Sequence, residues 1–187
     1  FNNADNTALV DQGQFVSALN VFGAAPLIGK VTVSLHVTHP SAGDLVLRLQ
    51  SPSGTVVPLA LNLGGTGDNY GGGCGNQANR TTFDDAAPLR IAAGTAPFIG
   101  SFTPDSPLAA FRGEDPNGDW KLLIADTVAG DTGELRCWSL LISPPDCSDG
   151  GGQCETCVPN FSGRFNADMP STTTRLVRNG VASGCGS

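Results

Sequence analysis

Val31-Thr32-Val33-Ser34-Leu35-His36-Val37 alternates apolar and polar residues one by one. Successive side chains of an extended strand point to opposite faces, so this pattern predicts a β-strand with one buried and one solvated face. The period recurs. Leu45, Leu47 and Leu49 are apolar around Arg48 and Gln50, and Trp120, Leu122 and Ile124 flank Lys121. Cys137-Trp138-Ser139-Leu140-Leu141-Ile142 reads as a last, more deeply buried strand. Between these runs stand turn-forming clusters: Ser51-Pro52-Ser53-Gly54, Asp115-Pro116-Asn117-Gly118 and Ala129-Gly130-Asp131-Thr132-Gly133. Each is expected to close a tight hairpin. Asn62 to Asn79 is Gly-rich and aperiodic, and is expected to be a long surface loop. Short strands at this spacing, with no helical period, predict an all-β jelly-roll sandwich.

Composition agrees. The 187 residues include 25 Gly and 13 Pro, which suits many turns and few helices. Hydrophobic residues make up 40%, enough for one core, and charged residues only 14%. The net charge of −7 repels phosphate, so nucleic acid and anionic membranes are poor partners. No apolar run reaches membrane-spanning length. Phe1-Asn2-Asn3 is no secretory leader, so the chain reads as mature or cut from a longer precursor.

Pro144-Pro145 ends the sheet pattern and separates two segments. Residues 1–145 form the jelly roll. Residues 146–187 form a short, irregular, Cys-rich extension, read as a linker or the truncated start of a following domain. Six cysteines in a Gly-rich, Lys-poor chain point to disulfides and an oxidising, extracellular setting, secreted or at the cell surface. Four of them, Cys147, Cys154, Cys157 and Cys185, lie in the extension, where either disulfides or a four-thiolate zinc site would fit. Cys74 and Cys137 are left to pair within the main domain, tying the Gly-rich loop to the last strand.

Catalytic patterns are missing. The two histidines are His36, on the polar face of its strand, and His39, in phase with the buried face. No Gly-x-Ser-x-Gly elbow or zinc-binding helix accompanies them, and Cys154-Glu155-Thr156-Cys157 lacks the βαβ setting of a redox motif. Carboxylates instead gather at turns and strand ends. Adjacent Asp84 and Asp85 repel each other unless a cation or hydrogen-bond donors intervene, and calcium takes six to eight oxygens from such loops. Asp44, Asp84, Asp85, Glu114 and Asp126 are therefore the candidate ligands of at least one Ca2+.

Several segments also resemble one family in order. Leu35-His36-Val37-Thr38-His39, Gly43-Asp44-Leu45, Ser51-Pro52-Ser53-Gly54-Thr55, Thr82-Phe83-Asp84-Asp85 and Gly113-Glu114-Asp115-Pro116-Asn117-Gly118-Asp119-Trp120 resemble the P (homo B) domain of kexin- and furin-like proprotein convertases, in its bacterial secreted form. The closing segment from Asp126 to Gly133, followed by Leu135 and Trp138, resembles the same family. The likeness runs from Lys30 to Ile142 and more weakly back to Phe1. One departure is Ala42, where convertases carry the Arg of an Arg-Gly-Asp sequence. The resemblance implies a jelly roll that follows and stabilises a subtilisin-like protease domain, tunes its calcium and pH dependence, and has no catalytic residues of its own. The expected partner is that protease domain in the same parent chain, or another protein surface, with the module itself monomeric. A carbohydrate- or surface-binding module, with Tyr70 as its exposed aromatic, and a structural domain of a cell-surface protein are the alternatives.

Overall fold

A computed structural model describes residues 1–3, 6–145, 177–178 and 181–182. The chain divides into two units, Phe1–Pro145 and Asp146–Ser187. The first contains β1 (Asn2–Asn3), β2 (Thr7–Ala8), β3 (Gln14–Val21), β4 (Lys30–Thr38), β5 (Leu45–Gln50), β6 (Val56–Leu61), β7 (Thr81–Phe83), β8 (Gly100–Phe102), β9 (Gly118–Asp126) and β10 (Glu134–Ser143). Short 3-10 turns occupy Ala42–Asp44, Gln77–Asn79, Ile91–Ala93 and Leu108–Phe111. In the second unit Val177–Arg178 pairs with Val181–Ala182. The expectations for Cys147, Cys154, Cys157 and Cys185 lie outside the described residues.

Two sheets face each other. One runs β1-β10-β4-β7-β8, with β2 also on β10, and the other runs β3-β9-β5-β6. Strand pairs are antiparallel except β7 with β8. The chain crosses between sheets after β2, β3, β4, β6, β8 and β9, the interleaving of a jelly roll. The alternation read from the sequence sets the core. Val33, Leu35 and Val37 of β4 and Leu45, Leu47 and Leu49 of β5 are fully buried between the sheets, with Trp120 of β9 and Trp138 of β10. Trp120 stacks edge-on against Phe111 at 5.1 Å. Both indoles keep a polar partner: Trp120 Nε1 donates to Pro116 O at 2.8 Å and Trp138 Nε1 to Ser17 Oγ at 2.9 Å.

Three expectations need correction. The polar face of β4 is not solvated: Ser34 and His36 are buried. The Gly-rich segment folds over this face. Gln77 Nε2 reaches Ser34 Oγ at 3.3 Å, and Arg80 donates to Ser139 Oγ at 3.3 Å and to Cys74 O at 2.7 Å. The Cys74–Cys137 disulfide, as expected, clamps that segment to β10. Second, the Asn62–Asn79 segment is not wholly a surface loop. Tyr70 is fully buried, bridges to Val37 and stacks on Phe98 at 4.8 Å. Third, only Ser51–Gly54 closes a hairpin, between β5 and β6. Asp115–Gly118 leads from the 3-10 turn at Leu108–Phe111 into β9, and Ala129–Gly133 carries the chain from one sheet to the other.

Candidate functional site

The five candidate carboxylates occupy three places on the sandwich. Asp44 and Asp126 share one end, because Leu45, at the start of β5, pairs with Asp126, the last residue of β9. Asp126 is fully buried with His39, whose Nε2 lies 3.3 Å from Asp126 Oδ2. Asp126 Oδ1 also accepts from Val128 N at 3.2 Å, and His39 Nδ1 lies 2.8 Å from Ser41 O. Asp44 contributes its backbone: its carbonyl accepts from both the amide and the hydroxyl of Thr127. The glycine before it is needed for close approach. Gly43 N donates to Gly65 O at 2.9 Å, and a Cβ at Gly43 would come within 2.7 Å of that oxygen.

Asp84 and Asp85 follow β7. Asp84 Oδ2 pairs with Lys30 Nζ at 2.8 Å, and its Oδ1 accepts from Ala86 N at 2.8 Å. Partial burial alone would raise the Asp84 pKa. The Lys30 hydrogen bond, the Ala86 N–H and the Lys30 charge outweigh it and hold the carboxyl below its ordinary value. Asp85 turns the other way. Its two oxygens accept from Leu108 N at 2.8 Å and Ala109 N at 2.7 Å, capping the start of the Leu108–Phe111 turn. The repulsion expected between these neighbours is thus relieved by an ammonium and three backbone N–H groups.

Glu114 lies at the third place, where the loop before β9 meets the β5–β6 hairpin. Thr55 Oγ1 donates to Glu114 Oε1 at 2.5 Å. Glu114 Oε2 and Ser51 Oγ are buried there without a hydrogen-bond partner. Gly118 packs under the same hairpin with φ 129°, and a Cβ on it would lie 2.9 Å from Pro52 Cβ. Thr55, Glu114 and Gly118 therefore join two motifs that are far apart in sequence.

This donor set does not fit a calcium ion held by several carboxylates. Asp84, Asp85 and Asp126 spend both oxygens on protein donors. Among the described residues no three Asp, Glu, His or Cys side chains converge on one point. The sequence showed the acidic doublet but not its partners, since Lys30 lies 54 residues away and Leu108 lies 23 away.

Nor does the His39–Asp126 pair make a catalytic dyad. In a serine hydrolase the ring nitrogen remote from the carboxylate faces the nucleophile. Here that nitrogen faces a backbone carbonyl, and both side chains are sealed from solvent. His36 Nδ1 lies 3.2 Å from Tyr70 O beneath the Gly-rich segment. Sequence reasoning named both histidines without finding these partners.

The hairpin junction and the His39–Asp126 pair fall in one stretch, and residues 28–142 match the proprotein convertase P-domain family. The chain belongs to that family. Relatives extend well beyond this P domain. It is 30% identical over 110 residues to a "Calcium-dependent protease" of Trichormus variabilis, covering 58% of this chain and 13% of that protein. It is 27% identical over 125 residues to "Leupeptin-inactivating enzyme 1" of Streptomyces exfoliatus, covering 67% of this chain and 20% of that protein. The chain thus spans a fifth or less of these relatives' length. A distant likeness, with TM-score 0.42 and 20% identity, covers 73% of this chain and 24% of the serine protease of Aeromonas sobria.

Proposed function

We propose that this P domain is a non-catalytic accessory module of a secreted multidomain protein, where it packs on and stabilises a subtilisin-like serine protease domain. The observation that carries this reading is the family match over residues 28–142, together with the engagement of both histidines in structural contacts. Two relatives are named a calcium-dependent protease and a leupeptin-inactivating enzyme, and both are several times longer than this chain. The Cys74–Cys137 disulfide supports an oxidising compartment. Burial of Tyr70 removes the aromatic on which the carbohydrate-binding alternative depended.

Calcium has a reduced place in this reading. The word appears in relatives' names, which describe those whole proteins. In this module we propose that the Lys30 ammonium, tethered to β4, supplies the positive charge that Asp84 requires. Melting of the chain in calcium and in chelator should then agree within about 2 °C, since only a ligand bound to the native state raises the midpoint. A drop of many degrees in chelator would show a resident ion that these contacts do not reveal.

The accessory role is tested by adding the chain to the separately expressed protease domain of its parent polypeptide. The chain alone should show no peptidase turnover, and its addition should lengthen the protease domain's half-life on heating. Turnover by the chain alone, or an unchanged half-life, would refute the reading.

A further inference from the structure

A sheet ends in strands whose outer N–H and C=O groups have no ladder, and such an edge recruits another strand unless something blocks it. Most edges of this sandwich are blocked. The outer side of β10 carries β1 and β2. Beside the three-residue β8, Thr103 N donates to Leu89 O and Thr103 O accepts from Ile91 N. On β6, Pro58 has no N–H, and the register slips between Ala60 and Pro58. Pro58 O and Leu59 O accept from Ser106 N and Asp105 N, and Leu61 N donates to the Asp105 carboxylate. β3 differs. Its eight residues keep an unbroken register against β9, and Gln14–Val21 contains neither a proline nor a charged side chain. Gly13 O accepts from Asp126 N, so Gly13 and Asp126 are a hydrogen-bonded pair, and the alternation of an antiparallel ladder follows. Phe15, Ser17, Leu19 and Val21 bond to β9. Gln14, Val16, Ala18 and Asn20 direct their N–H and C=O groups the other way, where among the described residues no strand meets them. Ala18 O accepts there from Asn3 Nδ2 at 3.3 Å and keeps a second lone pair.

We propose that a second copy of the chain docks on this edge, β3 against β3, antiparallel about a twofold axis at Ser17, in place of the monomer expected from the resemblance. The inference does not depend on the accessory reading above. An antiparallel edge is its own complement under twofold symmetry. The axis at Ser17 sets Gln14 opposite Asn20 of the second copy and Val16 opposite Ala18 of the second copy, and these are the residues with outward N–H and C=O groups. On the outer face an amide then meets an amide, and an apolar side chain meets another. Asn20 Nδ2 is held by Asp119 Oδ1 at 2.7 Å, which leaves Asn20 Oδ1 to accept from Gln14 Nε2 of the second copy. On the inner face Phe15, half-buried against the core, comes beside Leu19 of the second copy. A shift by two residues either way sets Gln14 opposite Ala18 or Val16 opposite Asn20 and shortens the overlap. The chain carries a net charge of −7, yet β3 brings no like charges face to face along the edge. The contact is about 27 Å of strand. It is smaller than a standard interface, so the dimer is reversible and depends on concentration.

Sedimentation of the full chain of 187 residues over a concentration series should show a monomer that converts reversibly to a dimer. Amide exchange of the same unsubstituted chain should slow at high concentration at Val16 and Ala18, and stay unchanged at Val56 at the start of β6. Val16→Lys combined with Ala18→Lys sets lysine opposite lysine on both sides of the axis, and should weaken association about tenfold or more. Ala18→Pro removes one outward N–H without touching the β9 ladder, and should weaken association as well. Val56→Lys, on the covered β6 edge, should leave it unchanged. The melting of each variant checks its fold, and the exchange measurement needs no variant. A chain that stays monomeric at every concentration would overturn the proposal. So would a dimer whose Val16 and Ala18 amides exchange as they do in the monomer, or one held only by a disulfide between copies on a non-reducing denaturing gel.

Discussion

Asp126 and His39 form a hydrogen-bonded pair sealed from solvent, at the junction of β4, the Ala42–Asp44 turn and β9. Removing one member of such a pair leaves the other buried and unpaired. Asp126→Ala should therefore destabilise the domain by about 3 kcal/mol, measured by denaturant unfolding. A loss below about 1 kcal/mol would mean that water reaches the site and screens the pair. Tyr70 is the chain's single tyrosine, so its ionisation can be followed without interference. Burial first, and the negative charge of Asp105 second, push its phenol well above the ordinary value of 10.0. A folded-state pKa raised in this way gives stability that is complete below the unfolded value and is lost as pH climbs past it. Tyrosinate absorbance should thus appear only together with unfolding above pH 10.0. Titration at the ordinary value with the fold intact would contradict this burial. Neither residue's environment was legible in the sequence. Alternation says which side of its own sheet a residue faces, and so it placed His39 correctly. It does not say whether that side is covered, which is why the burial of His36 was missed, and it does not reach Tyr70, which lies in an aperiodic segment.

At the scale of elements, the strands were legible because period-two alternation is a local property of the chain. Connections were less so. Ser51–Gly54 joins neighbours in one sheet, whereas Ala129–Gly133 has similar turn chemistry and joins two sheets. Turn residues report local backbone shape, and the destination of the next strand depends on distant partners. The same limit hid the cap that Asp85 makes on the Leu108–Phe111 turn. The Cys74–Cys137 clamp gives the Gly-rich segment its place. It closes a loop of sequence separation 63, for which chain entropy alone predicts a contribution of about 4 kcal/mol. Replacing both cysteines by serine should lower unfolding stability by that order and speed amide exchange at Ser34, His36 and Ser139, which the segment covers. If stability falls while exchange at these positions is unchanged, the clamp acts only on the unfolded chain.

The unit Phe1–Pro145 is a two-sheet sandwich whose own disulfide-clamped segment covers Ser34, His36 and Ser139. The sequence carried the jelly roll, the buried tryptophans and the family resemblance. The five candidate carboxylates, close in composition, are separated by the fold into three places, and Asp84, Asp85 and Asp126 have protein donors there. The account's central claim is that this domain exists to hold another domain in its folded state. Calorimetry of the parent polypeptide with and without residues 1–145 tests that claim most directly. The account predicts that deletion lowers the melting temperature of the protease domain by several degrees, about what a lost coupling of 1–3 kcal/mol produces. An identical transition for the protease domain in both forms would contradict it.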